Sequence, residues 1–366
     1  MKYLTLFLLV TGFLSSQPIP DGSATTKRNF LNDPFYPQKK IGLLNPPECW
    51  PIFYNRGPID RSPSDKSSKL ITLGTGMPAP NPYRYGPSSA LIVNGFPYFV
   101  DCGEAWWRGL SKAAISQSGI DLNEVFTLQN LEYMFITHLH IDHTEGLPAF
   151  ILNTYKYGPS VDKKIFGPKG IGEMVANINR AWKVDRNEMF QGAIRADPGG
   201  SIGVGVDIDP AVEFPGPVFE DKNVKVEAIR TLRAHGALEY TYAYRFTTKP
   251  DNRVIAFGGD GHYSKGLVEA ARDADILVIE GCTFKNIKYL PWGNGDEEEK
   301  IFKIRSYHMF PEDLARVQKE SGVKQIVLIH QQNGNVPEKY SRLQLLQEMK
   351  DAGVKNIYSA MDGDLF

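Results

Sequence analysis

The stretch Thr137-His138-Leu139-His140-Ile141-Asp142-His143 places four metal-ligand side chains within six residues, in the spacing H-x-H-x-D-H. The chain has only seven histidines, so one short segment holds three of them. Neutral imidazole suits zinc, and a carboxylate adds a hard oxygen donor. Residues 131–136, just before the cluster, read as a short buried strand. The ligands therefore fall on a strand-end loop, where a rigid scaffold can aim them. A two-metal hydrolytic site needs more than one loop. Three further residues stand at expected strand ends: His235 after 224–231, Asp260 after 254–257, and His330 after 325–329. With the loop they make up two three-ligand sites and one carboxylate to bridge them.

The elements that must position these residues alternate between strands and helices. Strands are expected at 69–73, 89–93, 98–100, 164–166, 240–247, 276–280 and 356–360, besides those already named. Helices are expected at 104–117, from 147 to 155, from 171 to about 183, and at 265–271, 311–321 and 339–352. The glycine-rich stretch from Ala196 to Gly205 lacks the Gly-Lys-Ser/Thr ending of a phosphate loop and reads as a plain loop. Two strand-rich halves carrying outer helices fit two packed sheets covered on both sides.

The gross numbers bound the function. The 366 residues carry a formal charge of -1, with 42% hydrophobic and 23% charged residues. This is ordinary globular composition. No large basic field supports tight nucleic-acid binding. Lys163, Lys164, Lys222 and Lys225 are too sparse for a phosphate track. The acidic run from Asp296 to Glu299 reads as a solvated loop. Residues 1–16, with Lys2 ahead of an apolar run to Leu14, read as a secretory signal peptide. That run is too short to span a membrane, and no cysteine follows it for a lipid anchor. Residues 17–65 read as an irregular arm and 66–366 as the catalytic domain. Of the three cysteines, Cys49, Cys102 and Cys282, one disulfide and one leftover thiol are allowed, and the pairing stays open. Trp106, Trp107, Tyr155 and Tyr157 read as core.

The set Asp101, His138, His140, Asp142, His143, His235, Asp260 and His330 resembles the metallo-β-lactamase superfamily, from about residue 69 to 366. The resemblance implies an α+β fold, the four-layer αββα sandwich, with the metals at one edge of the sheets. It implies that His138, His140 and His235 hold one Zn²⁺. Asp142, His143 and His330 hold a second, and Asp260 bridges them; Mn²⁺ or Fe²⁺ could replace zinc. Asp101, with Thr137, would stand behind the ligands and orient a ligating histidine. His140 stands where flavo-diiron relatives carry a glutamate, and Asp260 where zinc β-lactamases of the main subclass carry a cysteine. Within the superfamily, Leu73-Gly74-Thr75-Gly76, Arg84-Tyr85-Gly86-Pro87-Ser88 and Glu280-Gly281-Cys282-Thr283-Phe284 followed by His308 are most similar to the branch of tRNA 3′-processing endonucleases (tRNase Z) and a class of zinc arylsulfatases. In that branch an equivalent Glu and His lie near the scissile bond.

The endonuclease carries a tRNA-gripping arm between the third histidine and the bridging aspartate, and here only 24 residues separate His235 from Asp260. Together with export, this points to a small ester. The expectation is an exported, periplasmic or secreted dinuclear zinc hydrolase of a sulfate or phosphate ester, arylsulfatase- or phosphodiesterase-like. Its nucleophile would be a metal-bridging hydroxide. Asp142, Glu280 and His308 would be catalytic, with His308, held by Glu280, the general acid. Arg84 would meet the anionic substrate, and His262 reads as a bystander. The partner is a small anionic ester, with no nucleic acid and no membrane anchor; a homodimer is compatible with the sequence. The alternatives are a lactone or carboxylic-ester hydrolase of the same fold, a tRNA 3′-endonuclease-like nuclease, and a metal-binding protein without catalysis.

Overall fold

Side chains in a strand alternate between its two faces, and in this protein both faces are covered. In the computed structural model, residues 68–366 are described, apart from 80, 82, 117–121, 193–195, 197, 210–215, 232–234, 288–295 and 333–337. The first sheet runs in the order β1 (Lys69–Gly74), β2 (Ser88–Val93), β3 (Phe96–Val100), β4 (Tyr133–Phe135), β5 (Lys163–Gly167), β6 (Gly203–Asp207). β1–β3 pair antiparallel, and β3 to β6 are parallel. The second sheet contains β7 (Gly216–Glu220), β8 (Val224–Arg230), β9 (Tyr242–Thr248), β10 (Val254–Phe257), β11 (Ile276–Cys282), β12 (Gln325–Gln332) and β13 (Ile357–Ser359) in spatial order β13 to β7. β7–β10 pair antiparallel and β10–β13 parallel.

Three apolar layers result. In β3, Tyr98 and Val100 point into the layer between the sheets, whereas Phe99 points outward. Phe99 meets Trp106 of α1 (Trp106–Ser116) and Phe150, with ring centroids 5.3 and 6.0 Å away. In β12, Val327 joins the middle layer, while Ile326 and Leu328 face the far helices. The chain thus forms the αββα sandwich. Each fully buried Leu, Ile or Phe contributes about 1.5–3 kcal/mol relative to exposure, and Phe99→Ala would cost about 3–5 kcal/mol.

The helices in chain order after α1 are α2 (Leu122–Val125), α3 (Ile141–Thr144), α4 (Leu147–Leu152), α5 (Ile171–Ala181), α6 (Lys183–Gln191), α7 (Lys265–Ala270), α8 (Glu297–Arg305), α9 (Pro311–Ser321) and α10 (Glu338–Asp351). The acidic run expected as a solvated loop opens α8. The Asp296 side chain accepts the Glu299 N–H at 2.9 Å, an N-cap that satisfies one of the helix's orphan donors. The glycine-rich stretch expected as loop ends in β6. Gly203 and Gly205 let that strand pack under α5, where an added Cβ at Gly205 would lie 2.7 Å from the Gly172 Cα. Cys102 and Cys282 are buried free thiols, and burial pushes both well up. Cys49, the expected signal peptide and the expected 17–65 arm lie outside the described residues. Trp106 and Tyr155 are core, but Tyr157 is half exposed, stacked on Trp107 at 6.4 Å. Among the described residues, no helix is long and apolar enough to cross a membrane.

Candidate metal centre

Strands β3, β4, β8, β10, β11 and β12 all end at one edge of the sandwich. β8 runs the same way as β10 because β9 is antiparallel to both. Asp101 follows β3 directly, the 138–143 loop follows β4, and His235 and Asp260 follow β8 and β10. His330 lies inside β12, where the strand bulges against β11. Ile279 pairs with Leu328, but Gly281 pairs with Gln331, so one extra residue is accommodated. His330 there takes φ 43°. Bulges of this kind re-aim a side chain, and this one turns His330 into the edge. Gly259, at φ 63°, lets Asp260 approach the loop, since a Cβ there would sit 2.8 Å from the Thr137 Cβ. The two sheets are tied at this edge by Tyr244 Oη donating to the Ile136 carbonyl at 2.8 Å and Tyr242 N–H donating to the Thr137 carbonyl at 3.0 Å.

The residues gather in two adjoining groups. His138, His140 and His235 form the first; Asp142, His143, Asp260 and His330 form the second. In the first group the rings stand edge-on, with centroids 4.6–4.8 Å apart. His235 Nδ1 donates to the Tyr307 carbonyl at 2.6 Å. Thr137 Oγ1 donates to Asp101 and faces His138 Nδ1 at 3.1 Å. Both bonds put the proton on the outer nitrogen, so the Nε2 lone pairs of His138 and His235 face inward. His235 Nε2 lies 2.9 Å from His140 Nδ1. With His235 Nε2 bare, a proton on His140 Nδ1 would donate to it, and a cation taking both nitrogens would replace that proton.

In the second group, His143 Nδ1 donates to Asp101 Oδ2 at 2.9 Å. Its Nε2 lies 3.4 Å from Asp260 Oδ1 and 3.6 Å from Asp142 Oδ2. His330 Nε2 lies 2.9 Å from Asp142 Oδ2 and 3.3 Å from Asp260 Oδ2. His138 Nε2, His143 Nε2 and Asp260 Oδ1 are buried with no hydrogen-bond partner. Such orphans are costly unless something else satisfies them. The nitrogen and oxygen donors present therefore fit metal ions.

Charge divides the groups. Burial pushes His138 well below the ordinary imidazole range, lowers His140, and takes His235 to about 4. Burial would also lower His143 and His330, but the carboxylates beside them prevail. Asp101, Asp260 and Asp142 hold His143 well above its usual range, and Asp260 and Asp142 hold His330 at about 9. Against their own burial, Asp142 is held at about 2 by His143 and His330, and Asp260 well below the usual range by His330 and His143. The Asp260 charge is also felt by His138, His140 and His235, as a residue between the groups requires.

Glu280 and His308 complete the edge. Glu280 Oε2 accepts the His308 Nδ1–H at 2.8 Å, and Oε1 accepts the Gly261 N–H at 2.8 Å and the Met309 N–H at 3.3 Å. The His308 ring lies 5.6 Å from that of His235 and 6.1 Å from that of His330. Arg84 does not open onto a substrate. It is buried, and Nη1 donates to Thr75 Oγ1 and the Ala360 carbonyl, both at 2.7 Å, fastening the 75–85 loop to the end of β13. Sequence reasoning missed Gln332, two residues past His330, and the Tyr307 carbonyl that orients His235. A backbone acceptor leaves no residue-type signal.

A model of the beta-lactamase superfamily domain matches residues 99–331. The chain is 26% identical over 299 residues to Ribonuclease Z of Bacillus velezensis, covering 72% of this chain and 87% of that protein. Among solved structures, human tRNase Z, short form, superposes with a TM-score of 0.53 at 23% identity, covering 81% of this chain and 98% of that one. The metallo-beta-lactamase fold protein YhfI from Bacillus subtilis gives 0.56 at 15%, covering 82% and 99%. The likeness to a ribonuclease over most of both chains overturns the expected hydrolase of small sulfate or phosphate esters, and with it the expectation of no nucleic acid. The physical reason for the misreading is that net charge and one missing insertion weighed more than the retained edge. This chain belongs to the beta-lactamase superfamily and is a metal-dependent hydrolase with the metallo-β-lactamase fold.

Proposed function

We propose that the protein is a metal-dependent phosphodiesterase that cleaves RNA, in the manner of a tRNA 3′-end endonuclease. The observation that carries this reading is the match to a Ribonuclease Z over 87% of its length, joined to the placement of His308 and Glu280 beside both ligand groups.

His138, His140 and His235 would hold one metal ion, and Asp142, His143 and His330 a second, with Asp260 shared. Zinc ions there would polarise a phosphoryl oxygen and acidify water to a pKa of about 7. Asp142, with its carboxyl at about 2, is ionised at neutral pH and stands 2.9 Å from His330 Nε2. His308 directs its Nδ1–H into the bond with Glu280, so as the imidazolium it carries a second proton on Nε2, which it would pass to the departing ribose oxygen, leaving the neutral Nδ1–H form. Glu280 is anchored by two backbone N–H groups and so fixes the imidazole's orientation. A positioned acid of this kind contributes roughly 10²–10⁴-fold. The residues between His235 and Asp260 are taken up largely by β9 and β10, so RNA would be gripped by surfaces other than an insertion at that point.

The test is a 5′-labelled tRNA precursor with a 3′ trailer, incubated with zinc-loaded protein, beside chromogenic aryl sulfate and phosphodiester substrates. One discrete cut that a chelator abolishes is expected. An intact precursor alongside rapid turnover of the aryl sulfate would sink the reading.

A further inference from the structure

Three histidines at this edge show the same device. The outer nitrogen of His138 faces Thr137 Oγ1, that of His143 faces Asp101 Oδ2, and that of His235 faces the Tyr307 carbonyl. Each oxygen keeps the proton on the outer nitrogen and bares the inner one. His330 also turns its Nε2 inward, toward Asp142 and Asp260. Its outer Nδ1 needs an acceptor as well. Glu280 Oε2 is too distant, at 3.9 Å, and already takes the His308 N–H. The remaining neighbour is the side-chain amide of Gln332, 3.3 Å from His330 Nδ1.

Gln332 is fully buried, and its Oε1 has no hydrogen-bond partner. As placed, its Nε2 points at His330 Nδ1. The two ends of an amide differ little in shape, and a half-turn exchanges them. After that half-turn the unpaired Oε1 meets the His330 Nδ1–H. The two side chains lie side by side at the end of β12, with Gln332 Nε2 3.3 Å from His330 Nδ1. We infer that Gln332 is a positioning residue for His330. Its carbonyl accepts the Nδ1–H and so commits Nε2 to the second ligand group. This rests on the reading of that group as a metal site, and not on the choice of RNA as substrate.

Two variants separate hydrogen bonding from packing. Q332M keeps much of the volume and removes the acceptor; Q332E keeps an acceptor. Zinc affinity is measured by competition with a chromophoric chelator, and the sites are followed by the visible spectrum of the cobalt(II)-loaded protein. The expected result is a loss of roughly 10–100-fold for one of two equivalents in Q332M. The other equivalent stays as in the wild type, only one cobalt component changes, and Q332E recovers most of the affinity. Wild-type binding of both equivalents by Q332M would overturn the inference, as would a Q332E as defective as Q332M. If Q332M does not fold, ¹⁵N-histidine NMR of the zinc-loaded wild type decides. A protonated His330 Nδ1 is expected, and a bare one refutes it. If the wild type itself binds only one equivalent, the ligand assignment falls first and the inference with it.

Discussion

The two ligand groups sit side by side on one sheet edge, yet they solve the problem of buried polarity in opposite ways. His138, His140 and His235 are a neutral, all-nitrogen set kept unprotonated by burial. Asp142, His143, Asp260 and His330 are a charged set, in which carboxylates hold protons on both imidazoles. A cation can enter the first group without meeting a charged imidazole. At the second it must compete with protons already there. Buried ion pairs return little net stability but cost heavily when one member is removed. The second group is therefore the more fragile of the two and the more sensitive to pH.

The comparison breaks hardest at Asp260, whose charge is felt by all three histidines of the first group and by both of the second. Asp260→Ala would leave His330 facing a single carboxylate. Removing one partner of a buried pair typically costs about 3–5 kcal/mol. Metal analysis of the purified variant is expected to show both equivalents lost or sharply reduced, with activity gone. Full zinc content would mean Asp260 belongs to neither group. His308→Ala comes next. Turnover of RNA is expected to fall roughly 10²–10⁴-fold with metal content unchanged; loss of metal would make His308 a ligand instead. A smaller effect is expected at Asp101→Asn. Its carboxylate takes both the Thr137 hydroxyl and the His143 Nδ1–H, so removing its charge should weaken the second equivalent by roughly 10–100-fold. The first equivalent, whose contact is only through Thr137, should change less, and equal losses at both would blur the division.

Heat stability of the metal-free protein gives the mildest test. His235 titrates near 4 when folded, below its ordinary 6.5. Its contribution is present above pH 6.5 and lost as pH falls toward 4. His330 titrates near 9, above its ordinary 6.5. Its contribution is present below pH 6.5 and lost as pH rises through 9. Melting temperature should thus peak near neutral pH and decline on both sides. Zinc should flatten the alkaline limb, because the metal replaces the proton on His330. A profile flat from pH 6 to 10 without metal would contradict the charged character of the second group.

Much of this edge was readable in the chain. The H-x-H-x-D-H spacing, and the positions of His235, Asp260 and His330 next to β-branched or apolar runs, marked which residues meet, because strand ends in parallel sheets collect at one side. Glu280 and His308 were readable too, as their pairing at 2.8 Å bears on directly. The β12 bulge was not, since it depends on the register against β11 rather than on residue type. β6 was hidden by Gly203 and Gly205, poor strand formers that serve close packing under α5. Arg84 was misread because its chemistry suits an anion, while only the fold shows that it is buried with Nη1 donating to Thr75 and Ala360. The substrate class was misjudged for a related reason. Charge totals and one short connection say little about how a surface grips RNA.

The central division is tested most directly by calorimetric zinc titration of the stripped protein at pH 7, in two buffers of different ionisation enthalpy, which counts protons released per ion. One equivalent is expected to release no proton from its three histidines, only what metal-bound water gives up. The other should release more protons, because it displaces those held on His143 and His330, beyond any that metal-bound water gives up. Equal proton release for both equivalents would contradict the account.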